Sequence, residues 1–313
     1  MSSLETPQSK IPVVDLGQLS LEHEGEPSEE EWQRVARQLY DALTDIGFVY
    51  LSNHGIPEHQ ISTLFKSSKS FFSLDQEKKN SYSRNSESLL GYLAMNTEIL
   101  DKEKMASELR ESFLMRKDGR FPDEVTPSFR PAVGAMIESC TSLTTRILTA
   151  IAIGLDLDRD FFTSAHKCMI KKGSMTSLRV QHYPPVPDDV SEDAIRCGAH
   201  TDYGTITLLF QDDMGGLQVR DREGNWIDAE PIPGTIVVNV GDLLQFWTAY
   251  KLIATTHRVL IPSQGLRRKT SRLSISFFVN PDDQVLVKPP DGSSASHEPI
   301  VTLDYLLKKV AQY

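Results

Sequence analysis

From about residue 173 onward, short β-prone runs alternate with turn signals: "MTSLRVQHY", "TITLLFQ", "LQVRDREGNWIDA", "TIVVNVGD", "HRVLIP" and "RLSISFFVN". Within the runs, apolar residues recur at every second position, which on a pleated strand places them on one face. "DREGN" between two alternating runs marks a hairpin turn. Several short strands in succession point to a sandwich or a barrel.

The first 172 residues have another texture. "IPVVDLGQL" reads as a short strand. In "SEEEWQRVARQLYDALTDIGF", Trp32, Val35, Ala36, Leu39, Leu43 and Ile46 fall at helical spacing. Ser28 with Glu31 makes a capping box, and Gly47 is placed to end that helix. "FVYLSNHGIP" reads as a strand entering a turn, followed by a helix from about Glu58 to Phe72. Residues 80–107 are polar and aperiodic, so a loop or lid is expected there, with "NSYSRNSES" its loosest part. A long helix is predicted from Arg130 to Ile153, stopping at Gly154, with Val133, Met136, Cys140, Leu143, Ile147 and Ile151 on its apolar face. A last helix runs from Thr302 to about Ala311. The expected organisation is a helical and mixed region over 1–172 and a β core with its closing helix over 173–313, joined in one structural unit.

Composition narrows the function classes. The chain has 313 residues and a net charge of -10 without basic clusters. That argues against nucleic acid or an anionic membrane as partner, and no segment calls for an obligate protein partner. Cys140, Cys168 and Cys197 are odd in number and form no CxxC, which speaks against a disulfide framework or a thiolate zinc site. "MSSLETPQSKIPVVD" lacks an apolar signal core, no run reaches transmembrane length, and "VAQY" is no targeting tripeptide. A cytoplasmic location is the expectation.

The chemistry concentrates in "RCGAHTDYGTITLLFQ". His200 and Asp202 stand two apart, which on extended backbone turns both to one face. His257, in "TTHRVLIP", opens a later run that a neighbouring strand could bring beside them. Two histidines and a carboxylate suit Fe(II) and leave three positions open. Zinc would accept the same ligands with fewer open positions. In a chain with 8 His and 43 acidic residues, such a set can also arise by chance.

"RLSISFFVNP" adds a second constraint. Arg272 and Ser274 share one strand face, with Leu273, Ile275 and Phe277 on the other. A guanidinium inside a β core is costly without an anion, and its fork fits a carboxylate. Tyr183 in "VQHYPP" could add a donor. An internal salt bridge is the plainer reading of Arg272 alone. The order HxD, His, RxS on successive strands is much rarer.

With these motifs the chain resembles the Fe(II)- and 2-oxoglutarate-dependent dioxygenase superfamily. Within it, the chain is similar to the branch holding isopenicillin N synthase, the gibberellin and flavonoid oxidases and fungal thymine hydroxylase. "IPVVDL" and "GFVYLSNHGIP" match the branch's N-terminal signatures. "HTDYGTITLLFQDDMGGLQV", "GDLLQFWT", "THRV" and "RLSISFFVNP" match its core. The resemblance covers nearly the whole chain. It implies an α+β fold with a mostly β core, a double-stranded β-helix (a cupin-like jelly roll) flanked by N-terminal helices and a C-terminal helix.

The resemblance also implies roles. His200, Asp202 and His257 would bind iron. Arg272 and Ser274 would bind the distal carboxylate of 2-oxoglutarate with Tyr183 assisting, and Gln181 stands where plant members usually have an asparagine that also contacts the cosubstrate. Substrate contacts would come from Tyr92, Phe113, Phe210, Phe278 and the helix at 302–311. The implied activity is O2-dependent oxidation of a free small molecule, by default hydroxylation, with release of succinate and CO2. Desaturation, ring expansion, demethylation or cyclisation share the same opening steps. Ascorbate is a candidate reductant. The substrate would be a secondary-metabolite intermediate or a thymine-type pyrimidine. Two other readings stay open: an iron oxidase of this fold that does not use 2-oxoglutarate, and a non-catalytic cupin-like binding protein. His54, Asn239 and Asp242 are expected to serve turns. Cys197 is taken as incidental, Phe246 and Trp247 as core, and His182 as facing away from Tyr183.

Overall fold

The computed structural model describes residues 11–84, 89–98, 108–190, 194–262, 266–290 and 298–312. Its strands are β1 (Val13–Asp15), β2 (Phe48–Ser52), β3 (Gly91–Leu93), β4 (Glu111–Met115), β5 (Ser177–Tyr183), β6 (Cys197–His200) and β7 (Ile206–Gln211). They continue as β8 (Leu217–Arg220), β9 (Trp226–Asp228), β10 (Thr235–Val240), β11 (His257–Val259), β12 (Arg272–Val279), β13 (Leu286–Val287) and β14 (Ile300–Val301). The helices are α1 (Glu29–Asp45), α2 (Glu58–Phe72), α3 (Gln76–Asn80), α4 (Phe129–Gly154), α5 (Asp242–Trp247), α6 (Leu266–Lys269) and α7 (Thr302–Val310).

Two sheets face each other. The larger runs β1-β2-β10-β7-β12-β5-β4-β3 and the smaller β6-β11-β8-β9. Except for the parallel β1–β2 pair, the pairings between these strands are antiparallel. Four strands from before residue 172 extend the large sheet on both sides of the later ones. β3 and β4 had no clear sequence signal: β3 is three residues inside a polar stretch, and β4 carries Glu111 and Ser112. Residues 85–88 and 99–107 of the expected loop lie outside the described residues.

Strand alternation separates two apolar layers. On β12, Leu273, Ile275, Phe277 and Val279 join a core shared with α1, α2 and α4, as do Ile206, Leu208 and Phe210 of β7 and Ile236, Val238 and Val240 of β10. The opposite face meets the small sheet in a second cluster with Phe48, Tyr50, Tyr183, Cys197, Leu217, Val219, Val237 and Val259. The inter-sheet cluster is the smaller of the two, polar residues line the cavity beside it, and the candidate site lies there.

Local signals place the helices. Ser28 Oγ accepts from Glu31 N at 3.3 Å. The Glu31 carboxylate does not return the bond; it pairs with Arg34 and accepts from Gln18 N. Only half of the capping box is made. Gly47 follows α1 at φ 71°, and a Cβ there would stand 2.1 Å from Ile253 O, so both conformation and space require glycine. α4 extends one residue beyond the expected range at each end, and the left-handed residue after it is Asp156 rather than Gly154.

His166 ties the helical layer to β7. Its Nδ1 bonds Phe162 O at 2.6 Å and its Nε2 bonds Thr205 Oγ1 at 2.8 Å. Burial pushes its pKa down to about 4, with the Phe162 carbonyl and Asp282 opposing. Between that value and the ordinary 6.5, the unfolded chain binds a proton that the folded chain refuses. Its stabilisation is therefore full above pH 6.5 and falls as pH drops toward 4. Urea melts at about pH 7 and about pH 5 should show roughly 2 kcal/mol lost through this group. His166→Gln should flatten that slope; an unchanged slope would contradict the assignment.

Candidate metal centre

β11 lies antiparallel to β6 with His257 opposite His200, bringing the ring centroids to 4.3 Å. Each imidazole uses Nδ1 on a backbone carbonyl: His200 on Gly198 O at 2.8 Å and His257 on Thr255 O at 3.1 Å. As donors there, both rings keep the Nε2 lone pair for the interior. The two Nε2 atoms stand 3.9 and 3.8 Å from Asp202 Oδ1. Asp202 Oδ2 is held separately, by Thr207 Oγ1 at 2.6 Å and Asn239 Nδ2 at 2.8 Å. The three donor atoms lie within 4.8 Å of one another.

The route to this geometry differs from a shared strand face. His200 ends β6, and Asp202 sits in the turn before β7. Asp202 O accepts from Asp242 N at 2.7 Å, which pins the turn to the start of α5. Gly204 then passes so close to β12 that a Cβ would stand 2.3 Å from Val279 O. Asn239 and Asp242 do more than serve a turn. Asn239 orients the carboxylate, and Asp242 accepts from Tyr305 Oη and Lys309 Nζ, each at 2.9 Å, holding α7 over the site.

The charge states suit metal binding. Burial alone would raise Asp202, but His257, His200 and the bonds from Asn239 and Thr207 outweigh it and hold it below the ordinary range. Burial and the neighbouring His200 push His257 down to about 4, with Asp202 opposing. A carboxylate and lone-pair imidazoles are the donor forms a divalent cation needs. Burial pushes the Cys197 thiol up to about 12, so it stays neutral beside the cluster.

A second polar group shares the same cavity. Arg272, 1% exposed, lies over the Tyr183 ring at 4.9 Å and donates one bond, Nη2 to Gln211 Oε1 at 3.0 Å. Its Nε and Nη1 are buried without a partner. Among the described residues no carboxylate lies within ion-pair distance of it, so the internal salt bridge is not made. Ser274 pairs across to Gln181, whose Oε1 accepts from Ser276 Oγ at 3.2 Å and stands 3.5 Å from Ser274 Oγ.

The profile of the 2OG-Fe(II) oxygenase superfamily matches residues 175–281, and that of the N-terminal region of the non-haem dioxygenases in morphine synthesis matches residues 11–132. A proline hydroxylase of Petromyces alliaceus, buaE, is 36% identical over 274 residues, covering 82% of this chain and 84% of its own. The chain belongs to the 2OG-Fe(II) oxygenase superfamily. The 2-oxoglutarate-Fe(II) type oxidoreductase ppzD of Metarhizium rileyi is 32% identical, covering 91% and 84% of the two chains. A full-length Neurospora crassa enzyme crystallised with alpha-KG superposes with a TM-score of 0.84 at 32% identity, over 96% of each chain. The jelly-roll assignment stands, and Fe(II), 2-oxoglutarate and O2 are the cofactor and cosubstrates of this oxygenase. Among its described residues, no helix is long and apolar enough to cross a membrane.

The four aromatic substrate candidates divide by strand parity. Phe278 faces the inter-sheet cavity beside the triad. Phe210, Phe113 and Tyr92 face the helical core instead, so their expected substrate role is corrected to packing. Phe113 and Tyr92 pack on Phe71, and the Tyr92 hydroxyl bonds Glu111. On α7, Leu306 and Val310 reach the cavity. His182 bonds Glu111 Oε1 at 2.8 Å and stacks on Phe72, away from Tyr183. His54 accepts from Ile56 N within its turn. Residues missed from sequence are Asn239, Thr207 and Gln211. Each is a polar residue inside an apolar strand, on the face opposite its core neighbours, and that parity was the available signal.

Proposed function

We propose that His200, Asp202 and His257 hold the Fe(II), and that Arg272, with Ser274 and Tyr183, takes the distal carboxylate of 2-oxoglutarate. The observation that carries this reading is the pairing of a free donor set with an unsatisfied guanidinium in one cavity. Both Nε2 atoms and Asp202 Oδ1 are left over after every other polar atom of the triad is engaged. Two Arg272 nitrogens are left over in the same way. Such a set fits an ion with several open positions and a bidentate anion. Bound Fe(II) supplies O2 activation and the oxidative decarboxylation of 2-oxoglutarate. The chain's own residues orient the two and wall them from water.

The substrate is a free small molecule, hydroxylated where it faces the metal beside Phe278, and a secondary-metabolite intermediate is the class favoured. Support comes from a relative named as a proline hydroxylase and from the Neurospora enzyme, also crystallised with alpha-KG and thymine. The unpaired cysteines agree with a reducing, cytoplasmic setting. An anaerobic Fe(II) titration tests the site. Adding 2-oxoglutarate should raise a visible charge-transfer band. Iron binding without that band would support a 2-oxoglutarate-independent oxidase, and no iron binding at all a non-catalytic protein.

A further inference from the structure

Beyond the triad, the cavity continues outward toward α7. This outer chamber measures about 950 Å³ counting its open mouth, and His200, Asp202, Gln181 and Phe278 are common to both parts. Leu114, Met175 and Leu306 supply apolar wall. The polar wall is unusual for its sign. Arg84, Arg110 and Arg179 line it, with Glu98 as the one carboxylate besides Asp202 among the described lining residues.

Glu98 is already committed. Its Oε2 lies 2.5 Å from Arg179 Nη2 and 3.0 Å from Arg110 Nη2. Burial would raise its pKa, but Arg179, Arg110 and Arg84 draw it down to about 2, so it stays ionised. Arg110 has a second partner, Glu108, at 2.7 Å, yet its buried Nη2 makes no aligned hydrogen bond. Arg179 also donates to Ser112 Oγ. Among the described residues, three guanidinium groups thus share two carboxylates, and all three guanidinium groups line the chamber. Burial lowers the Arg84 guanidinium, Glu98 opposing and Arg179 adding to the effect, so a bound anion would relieve a strained charge balance.

Resting on the oxygenase reading of the inner site, we propose that the substrate carries a carboxylate, held by Arg84 with Arg179 and Arg110 behind it. Its apolar body lies along Leu114, Met175 and Leu306 toward Phe278 and the metal. Glu98 acts as a positioning residue that fixes Arg179 and Arg110. A fork-shaped cation in a partly dry wall selects a planar carboxylate over an uncharged isostere, because the isostere leaves the guanidinium unpaired.

The test uses the iron-loaded wild-type protein and small ring-bearing carboxylic acids, each paired with its primary amide. Succinate release above the substrate-free background is the readout. Acceleration by acids, with their amides inert, is expected. Arg84→Gln should raise the KM of an accelerating acid roughly ten-fold or more and erase the preference over its amide. Arg84→Lys should keep the preference. Amides or uncharged heterocycles accelerating as well as acids, or no acid accelerating, would overturn the inference. The 2-oxoglutarate charge-transfer band of the same preparation, read first, separates the cases: without it the inner-site reading fails, and with it only the substrate inference is at stake.

Discussion

Asp202→Ala is expected to abolish both iron retention and turnover, whereas Asn239→Ala should weaken them in part. Asp202 is the anionic member of the triad, and its Oδ1 is the atom that faces both Nε2 lone pairs. Without it, two imidazoles remain, one on β6 and one on β11, with no anionic ligand to offset dehydration of a divalent cation. A loss of more than about 1,000-fold in succinate release follows, the scale of several kcal/mol of metal-dependent stabilisation. Asn239 acts one step further out, through a 2.8 Å bond to Oδ2, and Thr207 remains to hold that oxygen. Losing such an outer partner costs roughly 10- to 100-fold in metal affinity. Iron content after gel filtration and succinate release check both variants. An Asp202→Ala protein that keeps stoichiometric iron would sink the triad assignment.

Much of the β core was legible because its strands are buried on both faces by different partners, one apolar and one more polar. The alternation in "RLSISFFVN" assigned Arg272 and Ser274 to one face and Leu273, Ile275 and Phe277 to the other, as the two apolar layers do. The same rule applied to "TITLLFQ" would have moved Phe210 out of the substrate set. Phe210 shares parity with Ile206 and Leu208, and its register partner on β12 is Ile275. Leu209, opposite Ser276, lines the site instead, on the same face as Thr207 and Gln211. Aromatic character was the wrong guide there, and parity the right one.

What stayed illegible depended on contacts far apart in sequence. β4 pairs with β5, some seventy residues later, and no local pattern in "ESFLM" announces it. The cluster of guanidinium groups among the described residues of the outer chamber is likewise invisible in a chain of net charge -10. Arg84, Arg110 and Arg179 come from three separate segments and meet only because β4 lies beside β5 and residue 84 joins β3 through Tyr92 O. Asn239 was half legible. A single amide inside "TIVVNV" is expensive in a buried strand unless something polar faces it, and that something is Asp202.

Arg272→Met is expected to remove 2-oxoglutarate binding without unfolding the protein. Arg272 sits between β5 and β7 with Nε and Nη1 unpartnered, so in the free protein its charge is an unpaid electrostatic cost. Methionine fills similar space, loses only the bond to Gln211, and should melt no lower than wild type in the absence of cosubstrate. In the presence of 2-oxoglutarate the order reverses. A desolvated charge pair truncated on one side costs about 2–5 kcal/mol, or roughly 30- to 5,000-fold in affinity. At 100 times its Kd, 2-oxoglutarate should stabilise wild type by about 2.7 kcal/mol and the variant hardly at all. Thermal melts with and without cosubstrate read both signs in one experiment. If Arg272→Met still gains that stabilisation, the distal carboxylate is anchored elsewhere. Arg196 would then be the group to remove next. It is fully buried, its Nε and Nη1 are also without partners, and burial together with the nearby Arg272 charge draws its pKa down to about 10. Two adjacent buried guanidinium groups, each with unpartnered nitrogens, raise the demand for an anion, and the double variant would show whether they share it.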